Sequence, residues 1–216
     1  MEVIPIEAGP LATIGYLVID DETRKAAAID VPLASTNTYI NLIKEKNAEL
    51  TVILLTHTHW DHTGETSELK QITNAQILCH KDDEYRLIDP MKYSIYKLPF
   101  ELKGEKADKY IENKDIIKIG NIELEVLHTP GHTEGGVCFV NHSEKVVFAG
   151  DTLFSGSIGR TDFPGGDFDT IINSIKNQLF TLGDDYVVYS GHGEATTIGN
   201  EKLFNPFLLD DEFVIA

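Results

Sequence analysis

Thr56-His57-Thr58-His59-Trp60-Asp61-His62 follows directly on Val52-Ile53-Leu54-Leu55, and the junction between them decides how the rest of the chain is read. The apolar run has the length and residue types of a strand buried on both faces, so the polar cluster starts where that strand leaves the core. Three of the chain's eight histidines and one carboxylate stand within six positions there. In extended backbone, residues two apart point to the same side, roughly 6.5 Å from each other, so His57 and His59 can converge on one ion. Asp61 and His62 lie further round the turn, where they can serve a second. A solvated histidine-rich loop is the plain alternative, but imidazoles this crowded repel one another once protonated and add little stability.

Outward from this stretch the pattern is of strands and helices in alternation. Residues 14–19 and 26–29 read as a hairpin across Asp20-Asp21-Glu22-Thr23, stopped by Asp30 and Pro32. A helix is expected from about Ser35 to Asn47 with Ser35 or Thr36 as its N-cap, and a second from Gly64 to about Ile72 with its N-terminal end toward the metal region. A short strand over 76–79 and a turn or two of helix over 82–88 follow. Residues 89–110 carry Pro90, Pro99 and several aromatics without a period, and read as an active-site loop or lid in which Tyr93, Tyr96 and Phe100 are either an apolar cover or loop aromatics tucked onto the core. Two further hairpins, 116–119 with 122–127 across Gly120-Asn121 and 136–140 with 146–149, precede a helix over 167–179 capped by Asp167 and a last buried strand at 187–189. Strands followed by helices, twice over, imply two sheets packed face to face with helices outside.

Composition narrows the function classes. The 216 residues, 42% hydrophobic, suit one large domain with a substantial core. A formal net charge of −17 argues against a nucleic-acid partner and against an anionic membrane surface. The N-terminus Met1-Glu2-Val3-Ile4-Pro5-Ile6-Glu7 lacks the basic start and apolar stretch of a secretion signal, and no apolar run approaches the roughly 18 residues of a membrane span. Cys79 and Cys138 stand in apolar strand-like contexts and read as reduced thiols of a cytoplasmic protein. The expected partner is therefore a small molecule.

Three more metal-ligating side chains stand at strand ends beside glycine: His132 in Thr129-Pro130-Gly131-His132-Thr133, Asp151 in Ala149-Gly150-Asp151-Thr152, and His192 in Ser190-Gly191-His192-Gly193. Glycine there lets the backbone turn sharply, so that one side chain projects from the sheet edge. His80, His128 and His142 lack this context and read as structural, with His128 near enough to His132 in sequence to support it. Trp60 reads as packing or as a wall of the substrate pocket.

The full set, His57, His59, Asp61, His62, His132, Asp151 and His192, resembles the His-x-His-x-Asp-His signature and later His, Asp and His of the metallo-β-lactamase superfamily, over about residues 12–200. The resemblance implies an αββα sandwich, that is two packed mixed sheets flanked by helices, with a dinuclear site at its open edge. By the family pattern His57, His59 and His132 hold the first metal, Asp61, His62 and His192 the second, and Asp151 bridges both. Two divalent ions are implied, zinc first, with iron or manganese suiting the same ligands. A centre whose positive charge exceeds that of its aspartates lowers the pKa of its water toward about 7 and stabilises the oxyanion formed at a carbonyl, so Asp61 and Asp151 are expected to act with a metal-bound hydroxide.

Within the superfamily the chain is most similar to compact glyoxalase II-like (hydroxyacylglutathione hydrolase-like) proteins, on Gly159-Arg160-Thr161-Asp162-Phe163 and on the ending Gly191 to Glu201 with Asn205-Pro206-Phe207. That resemblance implies hydrolysis of a thioester such as S-lactoylglutathione, with Arg160 binding a carboxylate and Asp162 either orienting it or capping the turn. Only 24 residues follow His192, so a single domain over 1–216 is expected, without the C-terminal helical domain of full-length glyoxalase II. Two alternatives stay open. An iron-dependent persulfide dioxygenase would hold one iron through His57, His132 and Asp151, and lactonases or other ester hydrolases use the same hydroxide chemistry.

Overall fold

Residues that alternate between two buried faces build the centre of the molecule. In β2 (Thr13–Ile19), preceded by β1 (Glu2–Ala8), all seven residues are buried, with Ile14, Tyr16 and Val18 in one apolar cluster and Leu17 and Ile19 in another. The same alternation continues through β3 (Lys25–Ile29), β4 (Glu49–Leu54) and β5 (Gln76–Cys79), and with β6 (Lys109–Tyr110) these strands form a six-stranded sheet in the order β1-β2-β3-β4-β5-β6. β7 (Ile116–Ile119), β8 (Ile122–His128), β9 (Val137–Asn141) and β10 (Val146–Gly150), with β13 (Val187–Ser190) and β14 (Thr196–Thr197), form the second, ordered β14-β13-β10-β9-β8-β7. Between β10 and β13 a small ribbon of β11 (Leu153–Phe154) and β12 (Ser157–Ile158) projects. The structure is a computed structural model and describes residues 1–209.

The two sheets face each other across a shared core in which Tyr16, Phe148 and Tyr189 rings lie 5.4–5.5 Å apart. On the outer face of the first sheet, α1 (Thr36–Glu45) buries Tyr39 and α3 (Thr66–Thr73) buries Leu69 against Leu17, Ile53 and Ile77. α6 (Phe168–Asn177) covers the second sheet through Ile171 and Ile175, four residues and one helical turn apart, together with Ile198 of α7 (Ile198–Phe204). The αββα sandwich expected from the sequence is what the chain forms.

The topology gathers functional loops at one edge. β3, β4 and β5 are mutually parallel. In the other sheet β8 and β10 flank the antiparallel β9, and β13 runs parallel to β10. The carboxyl ends of each set therefore open at one edge of their sheet, where the chain delivers Asp30, the 56–62 stretch, the 80–83 turn, His132, Asp151 and His192.

Several local expectations are corrected. β1 is not marked in the sequence, where Pro5 interrupts its pattern, and Pro5 is tolerated there because β1 is an edge strand. Ser35 precedes α1 but gives no side-chain cap, since its hydroxyl donates to Pro32 O (2.6 Å) and Glu65 Oε2 takes the Thr36 amide instead (2.7 Å). That helix stops at Glu45, with Asn47 in the left-handed region. The helix expected over 64–72 forms as α3, but a separate short helix that the sequence does not signal, α2 (Trp60–Thr63), precedes it inside the histidine stretch, so the helical element that carries Asp61 and His62 is α2 and not the longer helix. Residues 81–83 form a 3-10 turn leading into α4 (Glu84–Ile88), and the 89–110 stretch holds α5 (Pro90–Tyr93) and β6. Asp167 caps α6 as expected, accepting from the Thr170 amide at 2.8 Å.

Candidate metal centre

The seven side chains singled out in the sequence converge. One nitrogen each from His57, His59 and His132 form one group and one atom each from Asp61, His62 and His192 another, the atoms within each lying within 4.8 Å of one another. The 56–62 stretch starts both groups because His59 stays extended before α2 begins, so the chain turns between His59 and Asp61. Asp151 lies between the groups: its Oδ2 is 3.6 Å from both His132 Nε2 and His192 Nε2, and its Oδ1 is 3.2 Å from His62 Nε2. Asp61 Oδ2, by contrast, has close contacts with ligand side chains of its own group alone, 3.3 Å from His192 and 3.5 Å from His62, and accepts from Thr13 Oγ1 at 2.9 Å.

The glycines beside these residues serve different needs. Gly131 and Gly150 have positive φ (127° and 48°), the turn geometry expected, and Gly193 follows His192 with φ 74°. Gly191 is needed for space, because a Cβ there would stand 2.4 Å from Asp151 Oδ1 and 2.5 Å from His62 Cε1.

Hydrogen bonds on the far side of the rings fix which nitrogen faces inward. His132 Nδ1 donates to the Arg160 carbonyl (2.7 Å), His192 Nδ1 to the Leu11 carbonyl (3.2 Å) and His62 Nδ1 to Asp30 Oδ2 (2.8 Å). Thr56 Oγ1 donates to the same Asp30 oxygen (2.7 Å), so toward His57 Nδ1 at 3.1 Å it can only accept. In each case the proton sits on Nδ1 and Nε2 points into the cluster. Asp30, buried at the end of β3 and read in the sequence only as a strand stop, thus orients one histidine of each group.

Whether this arrangement suits cations is answered by the atoms it leaves over. His57 Nε2, His62 Nε2 and Asp151 Oδ1 are buried and make no hydrogen bond. Buried polar atoms left without a hydrogen bond are costly in a folded core unless something binds them. Imidazole nitrogens and carboxylate oxygens are the donor types that divalent zinc, iron and manganese accept. The charges agree. Burial, with neighbouring histidines, keeps His57 well below the usual imidazole range and holds His59 at about 3, so both stay neutral. Burial opposes charge on His62 too, yet Asp151, Asp61 and Asp30 together raise it well above its ordinary value. A dication at this point would take over the work of that proton.

The remaining histidines stand elsewhere. His142 bridges Glu125 and Tyr186, while His80 and His128 stack with ring centroids 4.2 Å apart, His128 also donating to the Glu134 carbonyl. Both cysteines are buried free thiols.

A cavity of about 460 Å³ opens over the cluster, walled by Trp60, Tyr93, Tyr96, Phe154 and Phe163. Trp60 packs on Phe100 (5.7 Å) and lines the cavity, so it does both things the sequence allowed. Arg160 reaches the cavity with its guanidinium 3.4 Å over the Phe163 ring, held by Asp162 through two 2.8 Å bonds and reaching Tyr96 Oη at 3.4 Å. Asp162 therefore orients Arg160 rather than capping the turn.

A family model described as the metallo-beta-lactamase superfamily matches residues 19–192. The hydroxyacylglutathione hydrolase GloC of Haemophilus influenzae is 40% identical over 211 residues, 96% of this chain and 97% of that protein. Among solved structures, BLEG-1 B3 metallo-beta-lactamase superposes with a TM-score of 0.90 at 33% identity, covering 97% of this chain and all of the other. TTHA1623 in a di-iron-bound form gives 0.78 at 32% identity, covering 95% and 100%. Among the described residues, no helix is long and apolar enough to cross a membrane.

Proposed function

The chain belongs to the metallo-beta-lactamase superfamily and is a metal-dependent hydrolase of that fold, and we propose that it cleaves a thioester of a small thiol, S-lactoylglutathione being the first to try. The observation that carries this reading is that buried ring and carboxylate atoms of His57, His62 and Asp151 make no hydrogen bond, within a cluster that lies beneath an open cavity. His57, His59 and His132 would hold one ion, Asp61, His62 and His192 a second, and Asp151 both. Bound there, two divalent ions, zinc first, would polarise the substrate carbonyl and make a water acidic enough to attack it near neutral pH.

The protein's own part is positioning. Asp30, Leu11 and Arg160 fix the imidazoles through their far nitrogens, the aromatic walls give the cavity an apolar lining, and Asp162 holds the Arg160 guanidinium toward a substrate carboxylate. Outside the seven ligand side chains, the described residues lining the cavity include no carboxyl, imidazole or ammonium group. That favours a leaving group needing no separate acid. A thiol, with a pKa of about 8.5, departs as thiolate far more readily than an amine departs unprotonated. Water supplies the new C–O bond as the C–S bond breaks, giving a carboxylic acid and the free thiol. The named activity of the 40% identical relative supports the same substrate class, and the buried free thiols suit the reducing cytoplasm.

Metal-loaded protein is expected to hydrolyse S-lactoylglutathione, measured by loss of thioester absorbance. Arg160→Ala should raise KM about 5- to 10-fold and leave kcat within about twofold, because an exposed charge-assisted contact acts in binding, while the carbonyl that holds His132 stays in place. One iron per chain, with oxygen consumption on a persulfide and no thioester turnover, would overturn the reading in favour of a dioxygenase.

A further inference from the structure

The turn after β5 carries none of the seven ligand side chains, yet it joins the two loops that supply the three-histidine group. From this we infer that Asp83 is a positioning residue that sets the spacing between the His57/His59 loop and the His132 loop, and with it the affinity of that group for its cation.

Asp83 is fully buried, and its carboxylate reaches both loops. Oδ2 accepts from the Thr58 amide (3.1 Å), between His57 and His59, and from the Thr133 hydroxyl (2.9 Å), next to His132. Oδ1 accepts from the Gly135 amide (2.7 Å) and Arg86 Nη1 (3.1 Å), and the Asp83 carbonyl accepts from Thr58 Oγ1 (2.6 Å). The fit leaves no slack, since a Cβ on Gly135 would lie 2.8–2.9 Å from Asp83 N, Cβ and Oδ1.

Neighbouring contacts tie the same segments. Arg86, itself buried, spends its other arm on the Glu134 carboxylate and the Pro164 carbonyl, and His80 stacks on His128 at the base of the His132 loop. The bracket therefore fixes 56–59 against 129–135 and also tethers the loop bearing Phe163.

Spacing matters here because metal geometry is exacting. Four ligands at about 2.0–2.1 Å in a tetrahedron stand roughly 3.3 Å apart, and His59 Nδ1 and His132 Nε2, on different loops, are 2.9 Å apart. Errors of a few tenths of an ångström between the loops are felt directly in such a site. The other group is braced differently, by Thr13 on Asp61 (2.9 Å), Asp30 on His62 and Leu11 on His192, so loss of the bracket should fall on one ion and not on both.

The test reads metal binding rather than turnover, so its outcome is independent of the thioester reading. Full-length protein is dialysed against zinc buffered by graded chelator and bound zinc per chain is counted, with His59→Ala marking the step that belongs to the three-histidine group. Asp83→Asn is expected to weaken that step about 10-fold, the lower end of the effect of losing a residue bonded directly to a ligand, because Asp83 acts through the loops and not through the rings, and to leave the other step within about threefold. Glu201→Gln is the control for general destabilisation. Glu201 is equally buried and takes four hydrogen bonds, from Gly156, Thr196, Asn200 and Asn205, away from both loops. It should leave both steps unchanged. Should Asp83→Asn fail to fold, Thr133→Val, which deletes one bracket bond, is expected to weaken the same step about threefold or more. Unchanged zinc affinity in the bracket variants, or an equal shift in Glu201→Gln, overturns the proposal.

Discussion

Asp151→Ala is expected to lower kcat/KM on a thioester by roughly 10³-fold or more, the scale of losing several kcal/mol of charge stabilisation at a metal centre. The reason is position. Asp151 is the carboxylate whose oxygens reach both groups, at 3.6 Å from His132 and His192 and 3.2 Å from His62. Its carboxyl is held below the usual carboxylate range, burial opposing the charge and His62 foremost among the groups that favour it. An alanine leaves His62 and His132 without the charge between them, so metal content should fall with activity while circular dichroism keeps the wild-type fold. Activity within tenfold of wild type in folded Asp151→Ala would show that the side chain does not join the two groups.

The second large effect is expected at Asp30, which no metal ligand motif marks. Its oxygens accept from the Thr56 amide (2.8 Å), the Thr56 hydroxyl and His62 Nδ1. Removing it leaves three buried donors unpaired, and Ala must also adopt a φ of 58°, which Asp tolerates better. Asp30→Ala should therefore cost about 3–5 kcal/mol of stability in denaturant unfolding. Asp30→Asn is the sharper probe. If its oxygen keeps the Thr56 amide, its NH₂ must face His62 Nδ1, and His62 then carries its proton on Nε2, where it cannot ligate. The Asn variant should hold its fold better than Ala yet bind metal 10- to 100-fold more weakly. Equal metal affinity in Asp30→Asn and wild type would show that Asp30 does not set the tautomer of His62.

These two residues also show what the sequence could and could not reveal. The histidine stretch was legible because local spacing suffices: His57 and His59 are two apart, and the buried run before them marks a strand end. His132, Asp151 and His192 were legible for a related reason, each being a polar residue beside glycine after an apolar strand. Asp30 follows an apolar strand in the same way, so the signal was present, but with a proline two residues on it read as a simple stop. Asp83 carries no such mark. Its partners on the two loops lie 25, 50 and 52 residues away, and only the pairing of two sheets brings them together. The short α2 ahead of the expected helix is hidden for a similar reason, for periodicity does not show that Trp60–Thr63 forms a turn of its own that carries Asp61 and His62.

If two clusters joined by Asp151 hold two cations, the metal content of the chain must show it. Purified chain offered zinc, iron or manganese and freed of loosely bound ions is expected to retain two per chain by elemental analysis. A folded chain that takes up one ion or none from all three would contradict it.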